Sequence, residues 1–455
     1  MTSHPLLTRR SFASALAAAS LAGPVAARAG LNAAFEDLLG EDDAAYDAAI
    51  ARLRGHGGVS LIPGLILAAR FARWRDQPIF SLLAEISGDA GPRSWLDWME
   101  WQEARPDIPS HDGYDDLKRS VFYRFDPRFE AFIGPERLAD ARIRFEEVTW
   151  GGVATDGIPA LNPPPMTPAR EADYLVGSDT VIGVSVNGDV RAYPLRILAW
   201  HEMLNDVIGG VPVALPFCTL CSSGVLYETD IGRAEPLVFG TSGLLFRSNK
   251  LMWDHETRSL WNQFTGEPVI GPLATSGLRL KALPVVVEPW LRWSRRHPDS
   301  LVMAIDTGFE RNYGSGYFYD RYIRSPDLIF PARADESRLA KKDYVFGVRT
   351  LGAAKAWPLA AFEGGRVLND SVGALNVVLI GDRLGQTVRA YDRGARKFEE
   401  GPDPDRLGVD GQTWRVGEDA LTGPSGEAAP RIAGHVSYWF AWNNYEGPRA
   451  EVFSE

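Results

Sequence analysis

Cys218 and Cys221 are the only cysteines in a chain of 455 residues, and they stand three apart in LPFCTLCSSGVLYE. A thiolate is both a nucleophile and a soft metal ligand, so the pair admits three chemistries: dithiol–disulfide exchange, metal ligation, or a small structural disulfide. Exchange in thioredoxin-like proteins draws on a helix N-terminus that favours thiolate. Here Ser222, Ser223 and Gly224 lead into Val225-Leu226-Tyr227, which reads as a strand, so that source is missing. A bare disulfide across so short a loop removes little entropy from the unfolded chain.

Metal ligation asks for two thiolates on a tight turn and further donors brought in by the fold. Gly224 soon after the second cysteine suits a turn of that kind. Ile197, Trp200, His201 and Leu204 recur at helical spacing, which places His201 on an apolar, inward face as an imidazole donor. Asp254 and His255 are the further donors expected to complete the site, either as ligands or as partners of ligands. Two thiolates with imidazole suit copper or zinc, and spacing does not choose between them. Ser222 stands where a haem-attachment motif needs histidine, and no second cysteine pair exists for a zinc ribbon. Glu202, beside His201, reads as a solvated neighbour, because adjacent helix residues point apart. No Gly-x-Ser-x-Gly elbow or P-loop is present, and His56, His111, His297 and His435 lack metal-ligand spacing.

The elements that must position these residues are short and β-like. VIGVSVNGDVR, from Val181 to Arg191, reads as a hairpin around Asn187-Gly188. Pro194 opens a short helix, PLRILAWHEML, and Val211 to Leu215 returns to strand. Shifted by 164 residues, the 35 positions from Val181 to Leu215 lie without a gap on Val345 to Leu379, with 13 identities. Gly183 meets Gly347, Pro194 meets Pro358, and Leu204-Asn205-Asp206 meets Leu368-Asn369-Asp370. Shared glycines, prolines and Asn-Asp pairs are expected to serve the backbone, whereas His201, Cys218 and Cys221 occur in the first copy alone. A shorter echo sets MWDHETRSLW beside AYDRGARKF, pairing Asp254 with Asp392.

The N-terminus reads as an address. Arg9 and Arg10 precede an apolar run, and Ala27-Arg28-Ala29 makes a small-x-small cleavage site, which together predict a twin-arginine-type signal over residues 1–29. The expected location is therefore periplasmic or extracellular. Residues 30–144 are rich in Ala, Leu and Arg at helical spacing, with Trp95, Trp98 and Trp101 as a core row. A net charge of -11 argues against a nucleic-acid partner, and no later apolar run approaches the length of a transmembrane segment. A small-molecule or protein partner is not specified by any motif.

DGIPALNPP, the block from Val181 through Gly224, FGTSGLLFRSNKLMWDHETRSLWNQFTGEPVIGP and DYVFGVRTLGAAKAWPL together resemble the bacterial domain of unknown function 3179 family. The resemblance spans roughly residues 143 to 447. Family members show Cys-Pro-Leu-Cys where this chain has Thr219 between its cysteines, and Asp-Arg where it has Asp254-His255. The resemblance brings no reaction with it.

The expected architecture is α+β: a helical domain over 30–144, a β-rich unit with the cysteines over 145–329, and a related β-rich unit over 330–455. The expected function is an exported metalloprotein with a Cys2His-type copper or zinc centre at Cys218, Cys221 and His201, with Asp254 and His255 nearby and redox activity open. The alternatives are a non-catalytic binding scaffold with a Cys218–Cys221 disulfide, and a thiol–disulfide oxidoreductase.

Overall fold

The computed structural model describes residues 30–314, 319–447 and 450–454, so the signal expected over residues 1–29 lies outside the described residues. The chain is α+β with a helical N-terminal region. Its contacts divide it into two compact units, one of residues up to Pro127 with Phe145–Glu147, the other of Arg128–Arg144 with Val148–Glu455.

The first unit is helical for local reasons. Asp42 caps Asp43–His56 by accepting from the Ala44 and Ala45 N–H groups, and Gly57, at φ 65°, ends that helix. Ser94 and Asp97 form a reciprocal capping box at the start of Trp95–Glu103. Of the expected core row, Trp98 and Trp101 are buried there, edge to face at 5.4 Å, whereas Trp95 is only half-buried, with the Arg70 guanidinium over its ring. Among the described residues no helix is long and apolar enough to cross a membrane.

In the second unit, β1 (Thr180–Val186) and β2 (Asp189–Pro194) form an antiparallel hairpin in which Val186 faces Asp189. The two linking residues, Asn187 and Gly188, have φ of 51° and 82°, as a primed turn demands. Pro194 immediately precedes the short helix α1 (Leu195–His201), which ends at Glu202 in the left-handed region, φ 54°. Strands β3 (Met203–Ile208) and β4 (Val211–Cys218) pair antiparallel next, and β5 (Leu226–Glu228) adds to the other edge of β4. Ile197 and Leu198 of α1 are buried among Ile182, Leu204, Leu215 and Phe217. A second hairpin, β6 (Phe239–Phe246) and β7 (Asn249–Asp254), turns at Arg247 and Ser248, both with positive φ.

Later strands repeat several of these contacts. Tyr344–Thr350 pairs with Ala353–Pro358, and Arg366–Val372 with Leu375–Asp382. A Cβ on Gly183 would lie 2.0 Å from the Trp293 ring, and one on Gly347 would lie 1.9 Å from the Trp442 ring. These glycines are therefore required by close approach of an indole. Asp206 accepts from the Tyr193 hydroxyl and Arg191, each at 2.8 Å, while Asp370 accepts from the Trp357 indole and Lys355, each at 2.9 Å. Asn205 clasps the backbone N–H and carbonyl of Phe239, and Asn369 does the same to Phe398. The asparagines thus serve the backbone and the aspartates hold neighbouring side chains, within strands rather than in turns or helix caps.

The shorter echo fares differently. Asp392 lies opposite Val377, and in the first set it is Glu228 that lies opposite Val213, 164 residues earlier. Strand pairing therefore aligns Asp392 with Glu228, not with Asp254. Register is set by the partner strand, which a local likeness of two segments does not report.

Candidate functional site

Strand β4 ends at Cys218, and the chain reverses through Thr219 and Leu220, with the Cys221 N–H donating to the Cys218 carbonyl at 3.2 Å. Ser222 has φ 50°, and Ser223–Gly224 pair back onto Phe217 and Cys218. The two cysteines thus occupy a β-turn at the tip of a strand pair. This turn holds the two sulfurs 2.9 Å apart as free thiols. Both are buried, Cys218 2% and Cys221 0% exposed.

The β6–β7 turn closes over them. The Ser248 carbonyl lies 3.4 Å from the Cys221 sulfur, and the Asn249 side-chain amide donates to that sulfur at 3.2 Å. Asn249 also donates to Gln263 at 2.7 Å, and Gln263 in turn donates to the Pro216 and Ser223 carbonyls. On the other side of the cysteine turn lies a buried ion pair. The Lys250 ammonium, 4% exposed, donates to the Glu202 carbonyl at 2.7 Å and lies 3.3 Å from its carboxylate. Thr219 donates to the same carboxylate at 2.9 Å. The Tyr322 hydroxyl donates to the Leu220 carbonyl between the cysteines at 2.7 Å.

These surroundings divide the two thiols. Burial works to raise the Cys218 thiol, but its hydrogen bond with Cys221 and the backbone N–H groups of Lys250 and Cys221 outweigh burial and bring it below the ordinary range. Burial pushes the Cys221 thiol well up, as do its hydrogen bond with Cys218 and the charge Cys218 carries. A helix N-terminus is absent here, as expected from the sequence, and backbone N–H groups of the turn and of β7 take its place. Burial lowers the Lys250 ammonium, opposed by the charges of Glu202 and Cys218.

The five residues expected around one ion do not converge. His201 is 0% exposed, and its Nδ1 lies 2.8 Å from the Pro159 carbonyl, which fixes the proton on Nδ1. Its Nε2 lies 2.5 Å from the Tyr313 hydroxyl, so its remaining lone pair accepts that O–H rather than facing sulfur. Burial lowers the imidazole below its ordinary range. Asp254 is buried and accepts from the Thr257 N–H and hydroxyl, the Ser259 N–H and the Trp261 indole. These four donors make it the anchor of the turn after β7. His255 is exposed and packs at a tilt against Trp253, ring centroids 4.4 Å apart. Among the described residues no group of three or more His, Cys, Asp or Glu side chains is arranged to hold a metal ion.

Glu202 departs from expectation in the opposite sense. It is 9% exposed, because the left-handed backbone that ends α1 carries its side chain out of helical register and toward Lys250. Asn249, Lys250 and Gln263 carried no separate motif; their one signal was membership of the long block FGTSGLLFRSNKLMWDHETRSLWNQF.

No curated protein and no solved structure matches the chain. One family model matches residues 155–449, which include both cysteines and every residue described around them, and it is that of a protein of unknown function, DUF3179. The chain belongs to the DUF3179 family.

Proposed function

We propose that this protein is an exported thiol–disulfide oxidoreductase in which Cys218 is the attacking thiol and Cys221 the resolving one. The observation that carries this reading is the 2.9 Å separation of two free cysteine sulfurs held in a turn between paired strands. Closure to a disulfide, with a bond of about 2.05 Å, asks for less than about 1 Å of further approach. In the oxidising direction a small disulfide R–S–S–R is attacked by the Cys218 thiolate, giving a mixed disulfide and releasing one R–S⁻. The Cys221 sulfur then attacks Cys218, the second R–S⁻ leaves, and the two thiol protons end on two R–SH. The protein is oxidised by two electrons and the small disulfide is reduced by two.

Export through the signal over residues 1–29 fits this reading, since disulfides persist outside the cytosol. The β-rich part is proposed to consist of two related units. Supporting this are the 164-residue sequence match, the Gly183–Trp293 and Gly347–Trp442 contacts, and the paired Asn205 and Asn369 clasps. One unit carries the dithiol, while the other has Asp382 and Gly385 at those positions.

A copper or zinc ion held by Cys218 and Cys221 is the second reading, favoured by the sulfur pair alone. Two thiolates on tetrahedral zinc sit about 3.8 Å apart, given Zn–S bonds of about 2.3 Å, so the turn would have to open, and among the described residues no third His, Cys, Asp or Glu side chain stands ready.

One experiment separates these readings. The reduced full chain is equilibrated with oxidised glutathione, and free thiols are counted alongside elemental analysis. Exchange predicts loss of both thiols in the wild type and a trapped glutathione adduct on Cys218 in Cys221→Ser, with none in Cys218→Ser. Two persistent thiols in the wild type, or stoichiometric metal lost on Cys218→Ser/Cys221→Ser, would overturn the redox assignment.

A further inference from the structure

Few polar atoms buried in a folded chain lack a hydrogen-bond partner, and each that does calls for an explanation. Three of them belong to residues that line one cavity: Thr265 Oγ1, Arg349 Nη2 and His435 Nε2 have no partner among the described residues. This cavity, of about 380 Å³, is lined by β5 with its partner strand Lys281–Leu283, and by Tyr344–Thr350 with its partner strand Gly434–Tyr438. It has the size of a small-molecule site. Its charged lining is Arg279, Lys281 and Arg349, and among the described residues no carboxylate lines it. Glu267, Glu228 and Glu446 pair with these three cations from outside the lining.

His435 is specific to its copy of the repeated strands. It is 4% exposed and lies opposite Gly347, whereas Val286 lies opposite Gly183, 164 residues before Gly347. A buried valine at the matching register means that the packing there needs no polar group. Arg349 likewise stands where the 164-residue match has Ser185. Its guanidinium is oriented by Glu446 through Nε and by the Phe264 ring, 4.6 Å from the centroid, which leaves Nη2 unspent. Burial and the Arg349 charge hold the His435 imidazole well below its ordinary range, so it offers an N–H without a second enclosed charge.

We propose, independently of the redox reading, that this cavity binds a small organic anion, with its carboxylate or phosphate head at Arg349, His435 and Thr265 and its apolar body along Val225, Leu283 and Val285. A guanidinium, an imidazole and a hydroxyl can all donate, and an oxyanion has acceptor sites for all three. The apolar lining is what a bare inorganic ion would leave unused.

The test is calorimetric titration of the full chain with benzoate and with phenyl phosphate, which share a ring and differ in head, and with benzamide as their uncharged counterpart. At least one of the two anions is expected to bind with a Kd of about 1 mM or tighter, and benzamide at least about tenfold more weakly. Benzoate binding alone assigns a carboxylate ligand, phenyl phosphate binding alone a phosphate. His435→Phe keeps a ring against Phe264 and removes both nitrogens, while Arg349→Lys keeps the charge and removes the guanidinium fork. Each is expected to weaken the anion by about tenfold, the loss of one hydrogen bond to a charged group. Binding by neither anion overturns the proposal, as does benzamide binding as tightly as the anions. Anion binding that is unchanged in both variants, with only their urea midpoints shifted, marks the three atoms as structural and overturns it too. If His435→Phe fails to fold, Thr265→Val exchanges one hydroxyl for a methyl and carries the same comparison.

Discussion

Lys250→Met is the most informative single perturbation of stability. The ammonium and the Glu202 carboxylate are 5% and 12% exposed at the side chain and 3.3 Å apart. Without the cation the enclosed carboxylate either stays charged without a partner or takes up a proton. Proton uptake sets a ceiling on the damage: at pH 7 a carboxyl of ordinary pKa, about 4.3, lies about 2.7 units away, which is about 3.7 kcal/mol. That ceiling falls by about 1.36 kcal/mol for each pH unit, to about 1 kcal/mol at pH 5. The sign is fixed by linkage. In the variant the folded chain binds the proton more tightly than the unfolded chain, so its stability is gained as pH falls and lost as pH rises. Urea unfolding of the wild type, Lys250→Met and Lys250→Met/Glu202→Gln between pH 5 and 7.5 reads this directly. A deficit near 3 kcal/mol at pH 7 that shrinks toward pH 5, and is flat with pH in the double variant, is expected. A deficit under 1 kcal/mol at pH 7, or one unchanged with pH, refutes the view that the pair is enclosed and mutually dependent.

Gly183→Ala and Gly347→Ala each drive a methyl to about the 2 Å separation measured against Trp293 and Trp442, and each is expected to cost at least about 2 kcal/mol in urea unfolding. Burial lowers the imidazoles of His201 and His435, so the unfolded chain takes up protons first as pH drops below about 6.5. Stability should therefore fall over that range, and the slope of urea midpoint against pH should be shallower in His201→Gln. Asn249→Ala removes the amide between the Cys221 sulfur and Gln263 and is expected to cost about 1–3 kcal/mol, checked by thermal and urea unfolding of the reduced protein.

Much of what positions the site was legible in local sequence. Asn187-Gly188 turns the first hairpin because only residues tolerant of positive φ can make a two-residue turn between twisted strands. The strand-like run after Cys221 put the cysteines on a strand turn rather than a helix N-terminus, which the pairing of Ser223–Gly224 with β4 bears out. The 164-residue match singled out Gly183 and Gly347, and close indole contacts give both the same reason to be glycine.

The partners of the buried polar groups were decided by tertiary structure. His201 was rightly placed on an inward face, yet its nitrogens are taken by Pro159 and Tyr313, 42 and 112 residues away in sequence. Lys250 meets Glu202 across 48 residues, and nothing within either segment announces it. Periodicity reports which way a side chain faces, because that is set by the backbone of its own segment. It cannot report which donor or acceptor waits there, since that depends on how separate hairpins pack and on the need to satisfy every buried polar atom. Sequence alone therefore identified the two sulfurs and the strand turn that holds them. Packing decided that the Asn249 amide and the Ser248 carbonyl, rather than an imidazole, lie against them.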